Sequence, residues 1–269
     1  MHNRMMITGA GSGLGREIAR RWAREGWHLA LADVNEAGLE ESLRLVREAG
    51  GDGFIRRCDV RDYSQLTALA QACDEQFGGI DIIVNNAGVA SGGFFGELSL
   101  EDWDWQLSIN LMGVVKGCKA FLPLLEKSRG RIVNISSMAA LMQGPGMSNY
   151  NVAKAGVVAL SESLLVELRQ LGVKVHVVCP SFFQTNLLDS FRGPTPAMKE
   201  QVGRLLESSP ISAAEIAEYI HAEMARDSFM ILPHEMGRMA WAVKQKNPQA
   251  IYDEMAGMAE KMRSRNALS

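Results

Sequence analysis

Nothing in this sequence provides for a disulfide framework or a bound metal. Its four cysteines, Cys58, Cys73, Cys118 and Cys179, are scattered without a CxxC pair, a usage that fits a reducing cytoplasm. The five histidines are dispersed, none at ligand spacing from another, so surface or core roles are expected for all of them. A basic excess is lacking too: 28 Lys and Arg stand against 31 Asp and Glu, a net charge of −3. With no Lys/Arg-rich block, nucleic acid is not an expected partner. No run of about 18 apolar residues is present to span a membrane. Met1-His2-Asn3-Arg4 leads into Met5-Met6-Ile7 without an apolar leader and small-residue cleavage site, so no secretory signal is expected and a cytoplasmic location is.

What is present is an alternation. Short apolar runs at Arg4–Thr8, Trp27–Asp33, around Phe54-Ile55 to Val60, Ile80–Asn85, Arg131–Ile135 and Val173–Val178 are separated by segments of helical period. Those segments run through Ile18, Ala19, Trp22 and Ala23, then 36–49, 62–77, a long helix at 102–127, and 149–171. Strands apolar on both faces and joined by helices predict an α/β fold, a doubly wound parallel sheet of Rossmann type with helices on both sides. With 47% hydrophobic residues and no linker or low-complexity tract, residues 1–233 read as one catalytic domain. Residues 234–269 read as a helical extension of it.

Directly after the first strand comes Thr8-Gly9-Ala10-Gly11-Ser12-Gly13-Leu14-Gly15 and then a helix. Glycines let backbone approach a pyrophosphate, and the free N–H groups and dipole of the following helix attract it. Gly9, Ser12, Gly13, Leu14 and Gly15 are therefore cofactor-binding candidates. Asp33 ends the second strand, 18 residues beyond Gly15. A carboxylate there accepts ribose hydroxyls and repels a 2′-phosphate, and neither Ser12 nor Val34 supplies a cation to hold one, so NAD is expected rather than NADP. Asp59 and Val60, ending the third strand, are candidates to meet the adenine.

Tyr150 and Lys154 are four residues apart on a predicted helix and so share a face. A phenol keeps its proton to about pH 10. A nearby ammonium, with the charge of an oxidised nicotinamide, favours the phenolate, which can then take an alcohol proton while hydride leaves carbon. Alone, Tyr-x-x-x-Lys carries little information. Taken in order with Thr8-Gly9-x-x-x-Gly13-x-Gly15, Asn85-Asn86-Ala87-Gly88, Asn110 and Ser136-Ser137, it resembles the short-chain dehydrogenase/reductase family, in its single-domain form, over roughly residues 4–190.

That resemblance implies an oxidoreductase moving hydride between C4 of NAD(H) and a secondary alcohol or ketone, without metal. It implies Ser137, rather than Ser136, as the serine that hydrogen-bonds the substrate oxygen, and Tyr150 as acid/base. Lys154 would hold the nicotinamide ribose and bias Tyr150, while Asn110 would position a water linking Lys154 to solvent. Asn86, Ala87 and Gly88 would shape the cofactor cleft; Asn85 reads as structural. Pro180 and Thr185 would seat the nicotinamide. The family usually has Pro-Gly where this chain has Pro180-Ser181, and serine tolerates a positive φ poorly, so the loop conformation there is open. A homo-oligomer, dimer or tetramer, built on the helices near 102–127 and 149–171 is also implied.

Substrate specificity is expected in Gly92–Gly96, Met138–Met147 and the stretch beyond Thr185. These segments hold Phe94, Phe95, Met138, Leu141, Met142, Met147, Leu187, Leu188 and Phe191, with Phe182 and Phe183 nearby, a composition that favours an apolar small molecule. In the extension, Met236, Met239, Ala240 and Val243 share one helical face, as do Ile251, Met255, Met258 and Met262 after Pro248. These faces are expected to pack on the domain itself or a neighbouring subunit; a roof over the substrate pocket and peripheral membrane contact are the other readings. Two rival functions stay open: an NAD-binding regulator or scaffold without turnover, and a glycine-loop methyltransferase, which gives Tyr150 and Lys154 no role.

Overall fold

The computed structural model describes residues 3–184, 190–193, 196–207 and 209–266. A strand apolar at every position must be covered on both faces, and this chain covers each of them. In order, the elements are β1 (Arg4–Thr8), α1 (Gly13–Ala23), β2 (His28–Asp33), α2 (Glu36–Glu48), β3 (Asp52–Arg57), α3 (Tyr63–Phe77) and β4 (Ile82–Asn85). There follow α4 (Leu100–Asn110), α5 (Met112–Ser128), β5 (Arg131–Ile135), α6 (Ala139–Met142), α7 (Ser148–Glu167), a 3-10 turn at Arg169–Leu171 and β6 (Lys174–Val178). The chain continues through α8 (Pro196–Glu207), α9 (Ala213–Ala225), β7 (Met230–Ile231), α10 (Glu235–Lys246) and α11 (Pro248–Asn266).

The seven strands form one parallel sheet in the order β3-β2-β1-β4-β5-β6-β7. Alternate side chains of each strand enter opposite layers. Met6 and Ile83 join Leu66, Phe121 and Val157 on one face, while Met5, Ile7 and Val84 join Ile18, Leu39 and Ile216 on the other. Strand order reverses between β1 and β4, and the crevice at the carboxyl ends there is where open α/β sheets bind ligands.

Four local expectations change. The long helix at 102–127 is two, broken at Leu111 (φ −116°, ψ −60°). The third strand stops at Arg57, leaving Cys58 to Val60 in a loop. The helix α9 is not among the expected elements, although Ser212 and Glu215 form a capping box ahead of Ile216, Ile220 and Met224 at helical spacing; the two-residue β7 is too short to show a period. Finally, Leu100–Ser128 is long and apolar enough by composition to cross a membrane, contrary to the expectation that no such stretch exists. Its apolar residues Val114, Cys118, Phe121, Leu124 and Leu125 are buried in the core.

Candidate active site

The loops leaving the carboxyl ends of β1 to β6 carry nearly all the candidate residues. At the β1 end, Gly9 takes φ +65°, and a Cβ there would lie 2.7 Å from the Ala87 Cα. Glycine is required on both counts. A Cβ on Gly15 would sit 2.2 Å from the Gly9 carbonyl oxygen, backbone against backbone. Gly15→Ala is therefore expected to destabilise the fold by about 2 kcal/mol, read as a lower thermal midpoint; an unchanged midpoint would contradict this packing. Gly13 also takes a positive φ, +52°. Leu14 faces the core.

Ser12 precedes α1 without a side-chain cap bond. Among the described residues no acceptor serves the N–H groups of Gly13, Leu14 and Gly15, which point out of the helix start as anion donors. The Asp33 carboxylate stands alongside, accepting from Gly11 N–H at 2.9 Å and Asn35 N–H at 3.0 Å. Anion donors beside a carboxylate that can accept hydroxyls match a dinucleotide's pyrophosphate and ribose. The residues fit the group.

Asn86 braces this loop from β4. Its Nδ2 donates to the Thr8 and Gly9 carbonyls, both at 3.0 Å, and the Thr8 hydroxyl accepts the N–H groups of Asn86 and Ala87 at 3.1 Å. Asp59, a candidate for the adenine, spends both carboxylate oxygens on Arg61, which holds its pKa below the usual carboxylate range. Val60 packs in the core over Gly113. Sequence reasoning missed Arg16: its guanidinium donates to the Gly11 and Gly38 carbonyls and to Ser42. It is a cation one turn into α1, bound to the underside of the loop.

At the other end of the crevice, Ser137, Tyr150 and Lys154 converge. The Ser137 hydroxyl, which donates to the Pro180 carbonyl at 3.4 Å and accepts the Ala139 N–H at 3.1 Å, lies near enough to the Tyr150 phenol to favour its ionised form, whereas the Ser136 hydroxyl turns away to the Lys154 carbonyl at 2.8 Å. Lys154 is buried, its Nζ donating to the Ile135 carbonyl at 2.9 Å and lying 5.7 Å from the Tyr150 ring centre. Gly88 fits between Asn110 and Lys154: a Cβ there would be 3.3 Å from Asn110 Oδ1 and 3.7 Å from Lys154 Nζ. Both side-chain groups of Asn110 go to Val89, N–H and carbonyl at 2.8 Å each, rather than to Lys154.

The expected acidity of Tyr150 combined the Lys154 ammonium with the charge of an oxidised nicotinamide. In the protein alone the ammonium does not make the phenol acidic. Burial pushes Tyr150 up to about 12, with the nearby Ser137 hydroxyl pulling the other way, and burial pushes Lys154 down to about 8. Desolvation outweighs attraction at this separation.

Three buried polar residues that the motifs did not flag tie the site together. Gln106 donates to the Val89 carbonyl and accepts from Ser91; the Ser91 hydroxyl accepts from Asn149; and Asn149 Oδ1 accepts the Tyr150 N–H. A continuous chain thus joins the wall held by Asn110 to the backbone of Tyr150. The only signal for it in the sequence is that Gln106 lies four before Asn110, on the same helical face.

The segments expected to set specificity meet. Gly92 N–H donates to the Arg192 carbonyl at 2.9 Å, and Gly93 N–H to the Gly146 carbonyl at 2.8 Å. The C-terminal extension rests on the same segments: Lys244 donates to the Leu141 carbonyl and to Gln143, Met262 packs at Gly146, and the Arg263 guanidinium lies 4.5 Å from the Phe94 ring centre. Ile251 is buried, while Met236, Met239 and Val243 are exposed. Pro180 is buried, its carbonyl accepting from Met138 N–H at 2.8 Å. Ser181 does not take a positive φ, so serine costs the loop nothing there. Thr185, Leu187 and Leu188 lie outside the described residues.

The short chain dehydrogenase family profile matches residues 3–194. The chain is 35% identical over 221 residues to 2-(R)-hydroxypropyl-CoM dehydrogenase of Xanthobacter autotrophicus, covering 80% of this chain and 88% of that one. It spans 33% of the length of other, longer curated relatives, at 37% identity over 197 residues. Among solved structures it is similar to a short chain dehydrogenase/reductase from Burkholderia phymatum in complex with NAD (34% identity, TM-score 0.87, covering 92% and 94% of the two chains). It is also similar to an alcohol dehydrogenase from the archaeon Thermococcus sibiricus complexed with 5-hydroxy-NADP (26% identity, TM-score 0.74, covering 86% and 95%).

Proposed function

The chain belongs to the short-chain dehydrogenase/reductase family, and on that footing we propose that it is an NAD-dependent oxidoreductase interconverting a secondary alcohol and its ketone, with Tyr150 as acid/base. The family uses a nicotinamide cofactor and acts on small alcohols and ketones. The observation that carries the proposal is buried Lys154 at the Gly88 wall, its Nζ 5.7 Å from the Tyr150 ring centre, with the Ser137 hydroxyl near the phenol. When bound, the nicotinamide supplies or accepts hydride at C4. Ser137 hydrogen-bonds the substrate oxygen and Tyr150 moves its proton. Lys154 holds the ribose and lends its positive charge to the phenolate. Asn110 fixes Val89, and with it the wall that Lys154 and Gly88 share. Gly9, Ser12, Gly13, Leu14, Gly15, Asn86 and Ala87 shape the pyrophosphate cradle, and Pro180 the nicotinamide end.

NAD is the proposed cofactor because Asp33 stands where a 2′-phosphate would be repelled and Arg16, the nearby cation, is engaged on carbonyls. Asp33→Ser is expected to weaken NADH binding about tenfold, the worth of a lost charge-assisted hydrogen bond, while NADPH gains relative to NADH. Fluorescence titration of both cofactors checks this; an unchanged ratio would overturn the assignment. The apolar segments at 92–96 and 138–147 support an apolar substrate. Exposed Met112 on α5 and Val152 and Val166 on α7 support a homo-oligomer, and four free, buried cysteines support a cytoplasmic location. The decisive experiment is a panel of secondary alcohols and ketones followed by NADH absorbance, with NADPH alongside. Turnover with NAD(H) is expected; tight NADH binding without turnover across the panel would favour a regulator or scaffold.

A further inference from the structure

The turn leaving β6 has its backbone held from both sides. On one side Met138 N–H and the Ser137 hydroxyl reach the Pro180 carbonyl at 2.8 and 3.4 Å. On the other stands His234, a buried imidazole at the first residue of the C-terminal extension. Its Nδ1 accepts the Ser181 N–H at 3.1 Å, and its Nε2 lies 3.1 Å from the Phe182 carbonyl. An amide N–H can only donate, so Nδ1 carries no proton and Nε2–H is the donor to Phe182. One neutral ring therefore satisfies both polar groups of the turn, and burial accordingly holds its pKa below the ordinary histidine value.

The backbone leading to His234 is itself held. Arg238, one turn into α10, donates to the Leu232 and Pro233 carbonyls at 2.7 and 3.0 Å and stacks 5.5 Å from the Tyr219 ring centre on α9. The β6–β7 ladder, through Cys179 N–H to the Ile231 carbonyl at 2.9 Å, ends three residues before His234. The segment that carries His234 is thus fixed to the sheet and to two helices. No motif in the sequence marks His234, because its partners lie 52 and 53 residues away.

We infer that His234 is a positioning residue: it holds the Pro180–Phe182 turn beside the candidate nicotinamide seat, so that the C-terminal extension governs how firmly the nicotinamide end of the cofactor is bound. This rests on the NAD-dependent reading above. It separates two halves of one ligand, since the pyrophosphate and adenosine end is built by the β1 and β2 loops, which His234 does not touch.

The test compares NADH with ADP-ribose, which lacks the nicotinamide, by calorimetric or fluorescence titration of the full chain. In His234→Phe, which keeps a ring but neither hydrogen bond, the NADH-to-ADP-ribose affinity ratio is expected to fall about tenfold, with ADP-ribose within about twofold of the parent. His234→Asn, whose Oδ1 can still accept from Ser181, is expected to fall between the two. Should the phenylalanine variant fail to fold, a drop in the ratio for His234→Asn carries the test. An unchanged ratio, or equal losses for both ligands, would reduce His234 to a structural residue. Failure of the parent protein to bind NADH at all would instead overturn the functional reading.

Discussion

Tyr150→Phe is expected to lower kcat by about 10³-fold, the range of a lost general acid/base, while leaving NADH affinity within about twofold. The phenol is the group proposed to carry a proton to or from the substrate oxygen, with Ser137 as its proposed hydrogen-bonding partner there. Burial holds Tyr150 up to about 12, so in the ketone-reducing direction it is protonated and ready to donate across the neutral pH range. In the oxidising direction the phenolate must be stabilised, and Lys154 with the charge of the oxidised cofactor is the available means. Oxidation is therefore expected to rise with pH over a range where reduction stays flat. Steady-state rates in both directions, on parent and variant, decide this; a phenylalanine variant turning over near the parent rate would remove Tyr150 from the chemistry.

Lys154→Met is expected to abolish turnover and yet stabilise the cofactor-free protein. The ammonium sits in a buried site with one hydrogen-bond acceptor among the described residues, the Ile135 carbonyl. Its pKa falls from 10.5 to about 8 because burial penalises the charged form, a difference worth about 3 kcal/mol. Against this, methionine leaves the Ile135 carbonyl without its donor, at about 1 kcal/mol. The net gain at pH 7 is about 2 kcal/mol, or about 5 °C in thermal midpoint. Its pH dependence follows from linkage. Below pH 8 the lysine is charged in both folded and unfolded chains and the penalty is constant. Between pH 8 and 10.5 only the unfolded chain keeps the proton, so the parent gains stability as pH rises and the variant's advantage shrinks. Thermal unfolding at pH 7 and pH 10 tests both parts. A destabilised variant at pH 7 would show that the lysine's contacts outweigh its desolvation.

How much of this was legible in the sequence follows the range of the interactions. The six strands with short apolar runs, the glycine loop and the tail helices broken at Pro248 are local patterns, and periodicity reads local patterns. Asp33, Ser137, Tyr150 and Lys154 could be singled out because each sits at a fixed offset from a strand or helix end. The two-residue β7 has no period to detect. The break at Leu111 has no proline or glycine to announce it; there Asn110 turns to Val89, a contact 21 residues distant. Gln106 and Asn149 read as ordinary polar positions until the fold buries them against Ser91.

The acidity of Tyr150 shows the same limit from the side of energetics. Spacing along a helix puts an ammonium and a phenol on one face, and attraction between them is the natural inference. How deeply the fold buries both is a tertiary property, and here it reverses the sign for the chain on its own. The bound cofactor must contribute the remaining charge.

The most direct measurement is an ultraviolet difference titration of tyrosinate with and without NAD⁺, on the parent and on Tyr150→Phe. Without NAD⁺, Tyr150 is expected to stay un-ionised past the usual tyrosine value of about 10. With NAD⁺, one tyrosine is expected to ionise at clearly lower pH, and the phenylalanine variant to lack that component. Identical titration curves with and without NAD⁺ in the parent, under conditions where NAD⁺ is bound, would contradict the proton chemistry assigned to this site.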